Sequence, residues 1–225
     1  MDKDAALNEL NALVIRLQDI YLNETERWME YAHERELNSF NFKTTKVCQI
    51  DSDILSNIRA YREFLNTRSI TTMILDGCRE GFHIEGRVKA ANSVNEKIDA
   101  YMKKKEHGEM QVNKCLNDLF GARAIVDSEL THKDISEYFS DKRSIRCIDS
   151  SKPKSGSEAD RKYVATHIYF KYRNNFVYQW ELQIWKKSDE ARNQSSHRTH
   201  RYEYTRWESE AKDDNAFHNI EQLLQ

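Results

Sequence analysis

Between Tyr163 and Lys187 apolar and polar residues alternate with a period of two, the mark of two half-buried strands. In the first arm Val164, Thr166, Ile168, Phe170 and Tyr172 share one face, and Tyr163, Ala165, His167, Tyr169 and Lys171 share the other. In the second arm Phe176, Tyr178, Trp180, Leu182 and Ile184 form an apolar face, opposite Gln179, Glu181 and Gln183. Making the two apolar faces coincide predicts a hairpin closed by Arg173-Asn174-Asn175, with Ile168 opposite Trp180 and His167 opposite Glu181. An acid, an imidazole and a tyrosine then meet on the non-core face of the sheet. A purely structural hairpin does not need them.

Elsewhere the apolar period is three and four. Leu7, Leu10, Leu13, Val14, Leu17, Ile20 and Tyr21, continued by Trp28 and Tyr31, predict one helix over 4–37, capped by Asp2 or Asp4. Ile54, Ile58, Tyr61, Leu65, Ile70, Met73 and Ile74 predict a second over 51–79, with Asp51 or Asp53 as its cap. Beyond Gly81 the period changes. Strands are expected at 82–89, 121–127 and 144–148, with helices between them at 93–106 (Ser93 and Glu96 forming a capping box), 112–119 and 131–140. The proline-containing stretch 150–162 reads as a loop, Ser188 opens a polar helix to about 210, and 213–225 carries a last amphipathic turn. The fold class is α+β: a mixed sheet flanked by helices, with helical extensions at both ends.

Composition narrows the class. Six Gly and one Pro in 225 residues encode few turns and favour long helices. The net charge of −2 provides no global basic field, so a nucleic-acid contact must come from a local patch. No apolar run approaches the ~20 residues of a membrane span, and the first residues lack the apolar stretch of a secretory signal. Cys48, Cys78, Cys115 and Cys147 have neither zinc nor disulfide-framework spacing, so small buried side chains in a cytoplasmic protein are expected.

Four short pieces bring chemistry in order: Gly86-Arg87-Val88-Lys89 with Lys97, Asn117 to Arg123, Tyr163 to His167, and Glu181 to Ile184. Two carboxylates, Asp118 and Glu181, are accompanied by the cations Arg87, Lys89, Lys97 and Arg123 and by the aromatic face of Tyr163. Carboxylates hold Mg²⁺, cations neutralise transferring phosphoryl oxygens, and flat side chains grip a base.

The order and spacing resemble the RelA/SpoT-type alarmone synthetase domain, a nucleotidyltransferase-like fold that moves pyrophosphate from ATP to a 3′-hydroxyl. Gly86-Arg87-Val88-Lys89 with Glu96-Lys97 matches the family's G-R-x-K and following E-K. Asp118, Gly121 and Arg123 match D-x-x-G-x-R, Tyr163 and His167 match the ends of Y-R-S-L-H, and Glu181-Leu182-Gln183-Ile184 matches E-x-Q-I. His197 falls where the family has a histidine beyond that Glu. The resemblance covers 82–207, leaving 1–81 as a helical extension and 208–225 as a C-terminal helix. It implies a pyrophosphokinase (diphosphotransferase) in which Arg87 and Arg123 sandwich the adenine of ATP and Lys89 and Lys97 meet its phosphates. Asp118 and Glu181 hold Mg²⁺, Glu181 also takes the proton of the attacking hydroxyl, and Tyr163 stacks on the acceptor's base. His167 either orients Glu181 or satisfies a sheet-face hydrogen bond.

Three departures bear on the acceptor. Val164 stands where the family has arginine, Lys162 where it has glycine, and Trp185 where arginine follows E-x-Q-I. Cations appear instead at Lys152, Lys154, Arg161 and Lys162 and along Arg192, Arg198, Arg201 and Arg206. A broad basic rim favours a polynucleotide end. This resembles the family's toxic small members, which pyrophosphorylate the 3′-terminal adenosine of tRNA, stop translation and are paired with a neighbouring antitoxin. The alternative is a small alarmone synthetase using GDP or GTP, and a homo-oligomer through the terminal helices remains open.

Overall fold

In a computed structural model of the chain, residues 1–68, 70, 82–103, 106–150, 163–172 and 177–195 are described. The expectations for Lys152, Lys154, the loop tip 173–175, His197 and the C-terminal helix lie outside them. Helix α1 runs Lys3–Glu34, and Asp2 caps it by accepting from the Ala5 N–H at 2.8 Å. Helix α2, Ser52–Thr67, starts at Asp51, whose carboxylate accepts from the N–H groups of Asp53 and Ile54. It ends earlier than its apolar spacing predicts. Arg68 is extended, and its guanidinium turns back to Glu24 of α1 at 2.8 and 3.2 Å. Arg27 donates to the same carboxylate at 2.7 Å. Glu24 is thus buried yet twice paired, as an interior carboxylate must be to offset its desolvation.

The strands are β1 (Phe82–Val88), β2 (Phe120–Val126), β3 (Ile145–Asp149), β4 (Thr166–Phe170) and β5 (Trp180–Lys186). They form one mixed sheet in the order β1-β2-β5-β4-β3, parallel between β2 and β5 and antiparallel elsewhere. Helices α3 (Ala91–Lys103), α4 (Val112–Cys115) and α5 (His132–Phe139) connect them, and a 3₁₀ turn, Lys187–Asp189, leads into helix α6, residues 190–195. Thr131 and Asp134 cap α5 reciprocally, side chain to backbone N–H in both directions. Helix α3 begins two residues before Ser93, because Val94 already donates to the Ala90 carbonyl. Ser93 therefore lies inside the first turn instead of capping it; the Ala90-Ala91 pair extends the helix backwards.

The hairpin forms, but with another register. Ile168 pairs with Leu182 and His167 with Gln183, two residues along from the pairing that alternation suggests. A shift of two leaves every side chain on its own face, so alternation cannot detect it. Tertiary packing makes the choice. Tyr178 leaves the ladder for the core, its ring 4.4 Å from both Tyr61 and Phe42 and its hydroxyl donating to Asn57 at 2.9 Å.

One sheet face is the core. Ile84, Phe120, Ala122, Ala124, Ile168, Phe170, Trp180, Leu182 and Ile184 pack in one cluster with Leu10, Leu17, Tyr21, Trp28, Ile58 and Tyr61 of α1 and α2. Trp180 centres it, 4.3 Å from Phe120 and 5.4 Å from Tyr21 between ring centroids, with its indole N–H donated to the Tyr61 hydroxyl at 2.7 Å. Full burial of an aliphatic or aromatic side chain of this kind contributes about 1.5–3 kcal/mol. Cys115 is buried as expected, but Cys48 is exposed and Cys147 half-buried, with burial pushing the Cys147 thiol up to about 11. Among the described residues no helix is long and apolar enough to cross a membrane.

Candidate active site

The opposite sheet face carries the polar chemistry, and the register orders it in rows. One row reads Arg87, Gly121, Glu181, Tyr169, Arg146 from β1 to β3; the next reads Glu85, Arg123, Gln183, His167, Ile148. Gly121 lies between Arg87 and Glu181, and a Cβ built there would meet no atom within 4 Å. It floors a cavity of about 310 Å³ lined by Glu85, Gly86, Arg87, Asp118, Ala122, Arg123, Glu181 and Gln183 as well. That volume is near the lower end for small-molecule sites.

Asp118 lies in the turn leading into β2, which the Lys89 N–H ties to the end of β1 through the Leu119 carbonyl at 2.8 Å. Lys89 Nζ then reaches Asp118 Oδ2 at 2.8 Å, and Lys97 Nζ from α3 reaches Oδ1 at 3.0 Å. Burial alone would raise the Asp118 pKa, but the two ammonium groups outweigh it and bring it down to about 2. Burial likewise opposes the Lys97 charge, and Asp118 reverses the effect, so its pKa rises. Asp118 and Lys97 each favour the other's charged form.

Glu181 is 6 % exposed. His167 Nδ1 contacts its Oε1 at 2.9 Å, Gln183 Nε2 donates to Oε2 at 2.8 Å, and the Tyr169 hydroxyl is hydrogen-bonded to the same carboxylate. Burial pushes Glu181 up, and the His167 hydrogen bond and charge bring it below the ordinary glutamate value. His167 thus meets the acid diagonally across the ladder, although its backbone partner is Gln183. The 2.9 Å contact is what an orienting role for His167 requires, and it equally satisfies a sheet-face hydrogen bond.

Arg123 is held from two sides: its guanidinium carbon stands 3.7 Å over the Trp185 ring, and its Nη1 donates to Glu85 at 3.5 Å. Trp185 is fully buried and donates its indole N–H to the Tyr163 hydroxyl at 3.1 Å. Tyr163 closes a small second cluster with Ile125, Ala165 and Trp185. Val164 turns inward, its backbone tied on both sides to the Asn193 amide at 2.9 and 2.6 Å. The positions at which the sequence resemblance expects two cations are therefore a buried valine and a buried tryptophan.

Of the residues singled out from sequence, Arg87, Asp118, Arg123 and Glu181 share the cavity, and Lys89 and Lys97 bracket Asp118 at its end. His167 and Tyr163 lie beside it on the β4 side, joined to it through Glu181 and Trp185. The sequence reading missed Glu85 and Tyr169 as site residues and took Trp185 only for a lost cation. Strand alternation places Glu85 with Arg87 and Tyr169 with His167, which is the signal that finds the first two. Arg123 Nε and Gln183 Oε1 are buried without a protein partner among the described residues, a donor and an acceptor on neighbouring strands in one cavity. A bound polar ligand would satisfy both.

No set of three or more His, Cys, Asp or Glu side chains among the described residues is grouped to hold a metal by itself. Two ionised carboxylates on one cavity nevertheless fit Mg²⁺, which keeps waters and takes further oxygens from substrate phosphates. No family model matches the chain, and no curated protein matches it. Among solved structures it is similar to a GTP pyrophosphokinase family protein from Streptococcus pneumoniae (16 % identity, 67 % of this chain, 73 % of that chain, TM-score 0.37). It is also similar to small alarmone synthetase 2 from Bacillus subtilis (17 %, 76 %, 88 %, 0.38) and to small alarmone synthetase 1 from Bacillus subtilis bound to AMPCPP (13 %, 67 %, 75 %, 0.34). At this distance residue roles rest on the geometry of this chain.

Proposed function

We propose that the chain is a RelA/SpoT-type pyrophosphokinase, moving the β,γ-pyrophosphate of ATP to a 3′-hydroxyl. The observation that carries this reading is the meeting of ionised Asp118 and Glu181 on one cavity walled by Arg87 and Arg123, with Lys89 and Lys97 at its end. Arg87 and Arg123 grip the adenine; because Trp185 covers one face of the Arg123 guanidinium, the base stacks on the other. Lys89 and Lys97 turn from Asp118 to the phosphates. Asp118 and Glu181 would hold Mg²⁺, which would neutralise charge on the triphosphate. The acceptor oxygen forms a bond to the β-phosphorus as the bond to the α,β-bridging oxygen breaks. AMP departs, and Glu181 receives the hydroxyl proton.

The acceptor is the 3′-terminal adenosine of tRNA, which makes the protein a translation-stopping toxin with an antitoxin encoded beside it. Support comes from the acceptor side: buried Val164 and Trp185 provide no cations for a compact guanosine di- or triphosphate. Incubation with γ-labelled ATP and either tRNA or GDP tests this. Label on tRNA is expected. Label on GDP alone replaces the tRNA reading with the alarmone-synthetase one, and label on neither removes the pyrophosphokinase assignment.

A further inference from the structure

The described part of the molecule offers few chemical clusters outside the cavity. His132 accepts or donates at Thr166 (2.9 Å) and Asp189 (3.2 Å), but Thr166 is fully buried, so that trio is a strap joining α5, β4 and the turn after β5. Glu24 with its two arginines is likewise a clamp. Trp185 is different, because it touches both halves of the site at once.

We infer that Trp185 is a positioning residue shared by the two base-binding groups of the site: its ring face seats Arg123 on the donor side, and its indole N–H fixes Tyr163 on the acceptor side. Three observations carry this. The Arg123 guanidinium carbon lies 3.7 Å from the ring centroid while Arg123 also lines the cavity. The Trp185 N–H reaches the Tyr163 hydroxyl at 3.1 Å with the rings edge-on at 78°, so the bond sets the tilt of the tyrosine. Trp185 is itself immobilised, fully buried on β5 opposite Ile125 of β2 and packed with Ala165. An exposed aromatic would hold neither neighbour in place. An arginine here would lack the flat apolar ring and would repel Arg123.

The two contacts are chemically separable, and this makes the inference testable. It rests on the pyrophosphokinase reading and concerns how the two substrates are held. Trp185→Phe keeps a flat ring under Arg123 and removes the N–H; Trp185→Leu removes both. Binding of α,β-methylene ATP to the full chain by calorimetry, and the KM for tRNA or GDP (whichever accepts label), form the readout. For Trp185→Phe the analogue's Kd is expected within about twofold of wild type, with the acceptor KM raised about fivefold, the worth of one hydrogen bond. Trp185→Leu weakens the analogue about threefold or more as well, through loss of the cation–ring contact. Tyr163→Phe should reproduce the acceptor effect, and adding it to Trp185→Phe should raise KM no further. If Trp185→Leu fails to fold, the two phenylalanine variants decide the matter. Equal loss of both affinities in Trp185→Phe, or unchanged constants, overturns the inference and leaves the pyrophosphokinase reading standing. A wild type that neither binds the analogue nor transfers label overturns both.

Discussion

The two faces of the one sheet are built on opposite terms. On the face toward α1 and α2, neutral side chains remove one another from water, and the indole of Trp180 and the hydroxyl of Tyr178 find partners in Tyr61 and Asn57. On the other face, charged side chains are held close around a cavity, where two ammonium groups offset the burial of Asp118 and hydrogen-bond donors offset that of Glu181. The first arrangement is stable by itself. The second stores groups in states useful to a charged ligand, and Arg123 Nε and Gln183 Oε1, which have no partner among the described residues, are the residue of that arrangement. One backbone serves both because side chains alternate across it.

The contrast is most sharply tested at neighbouring residues of β5. Trp180→Ala should cost about 3–5 kcal/mol of stability by emptying the centre of the core, read as a fall in the urea midpoint. Glu181→Gln, one residue on, should lower the transfer rate about 10²–10⁴-fold and leave stability within about 1 kcal/mol, since the amide still accepts from His167. A Glu181→Gln protein that unfolds as readily as Trp180→Ala would mean that the polar face is structural too.

The smallest effect belongs to the strap that joins the sheet to its flanking elements. Burial lowers the His132 pKa from 6.5, more than the nearby Asp189 carboxylate raises it. The folded chain therefore favours the neutral ring, whose Nε2–H donates to Asp189 while Nδ1 accepts from Thr166. Below pH 6.5 the unfolded chain binds the extra proton first, so the strap's contribution is complete above that pH and declines as pH falls toward the folded value. Melting temperatures from pH 7.5 to 5.5 should drop less in His132→Gln than in wild type. Identical slopes in the two proteins would remove His132 from the account.

How much of this was legible in the sequence differs by element. The long apolar stripe of α1, the N-caps at Asp2 and Asp51, and the alternation of β4 and β5 are local signals, and each element appears where its signal lies. The residues gathered on the cavity were legible as types in order: Arg87, Arg123 and Glu181 sit on the strands expected for them, whereas Asp118, expected in a helix over 112–119, lies in a turn because α4 already ends at Cys115. Register was not legible, because a two-residue slip of β4 against β5 preserves both faces and only the capture of Tyr178 by Tyr61, Phe42 and Asn57 selects one pairing.

The sequence by itself determined which face of each strand is apolar and which residues carry charge, since both follow from side-chain chemistry and a period of two. Tertiary structure alone decided who meets whom across strands. It set Lys89 and Lys97 on opposite oxygens of Asp118, brought His167 to Glu181 diagonally, and laid Arg123 over Trp185. Those contacts join residues from separate elements, and no local pattern encodes the distance between strands that the core, on the far side of the sheet, holds together.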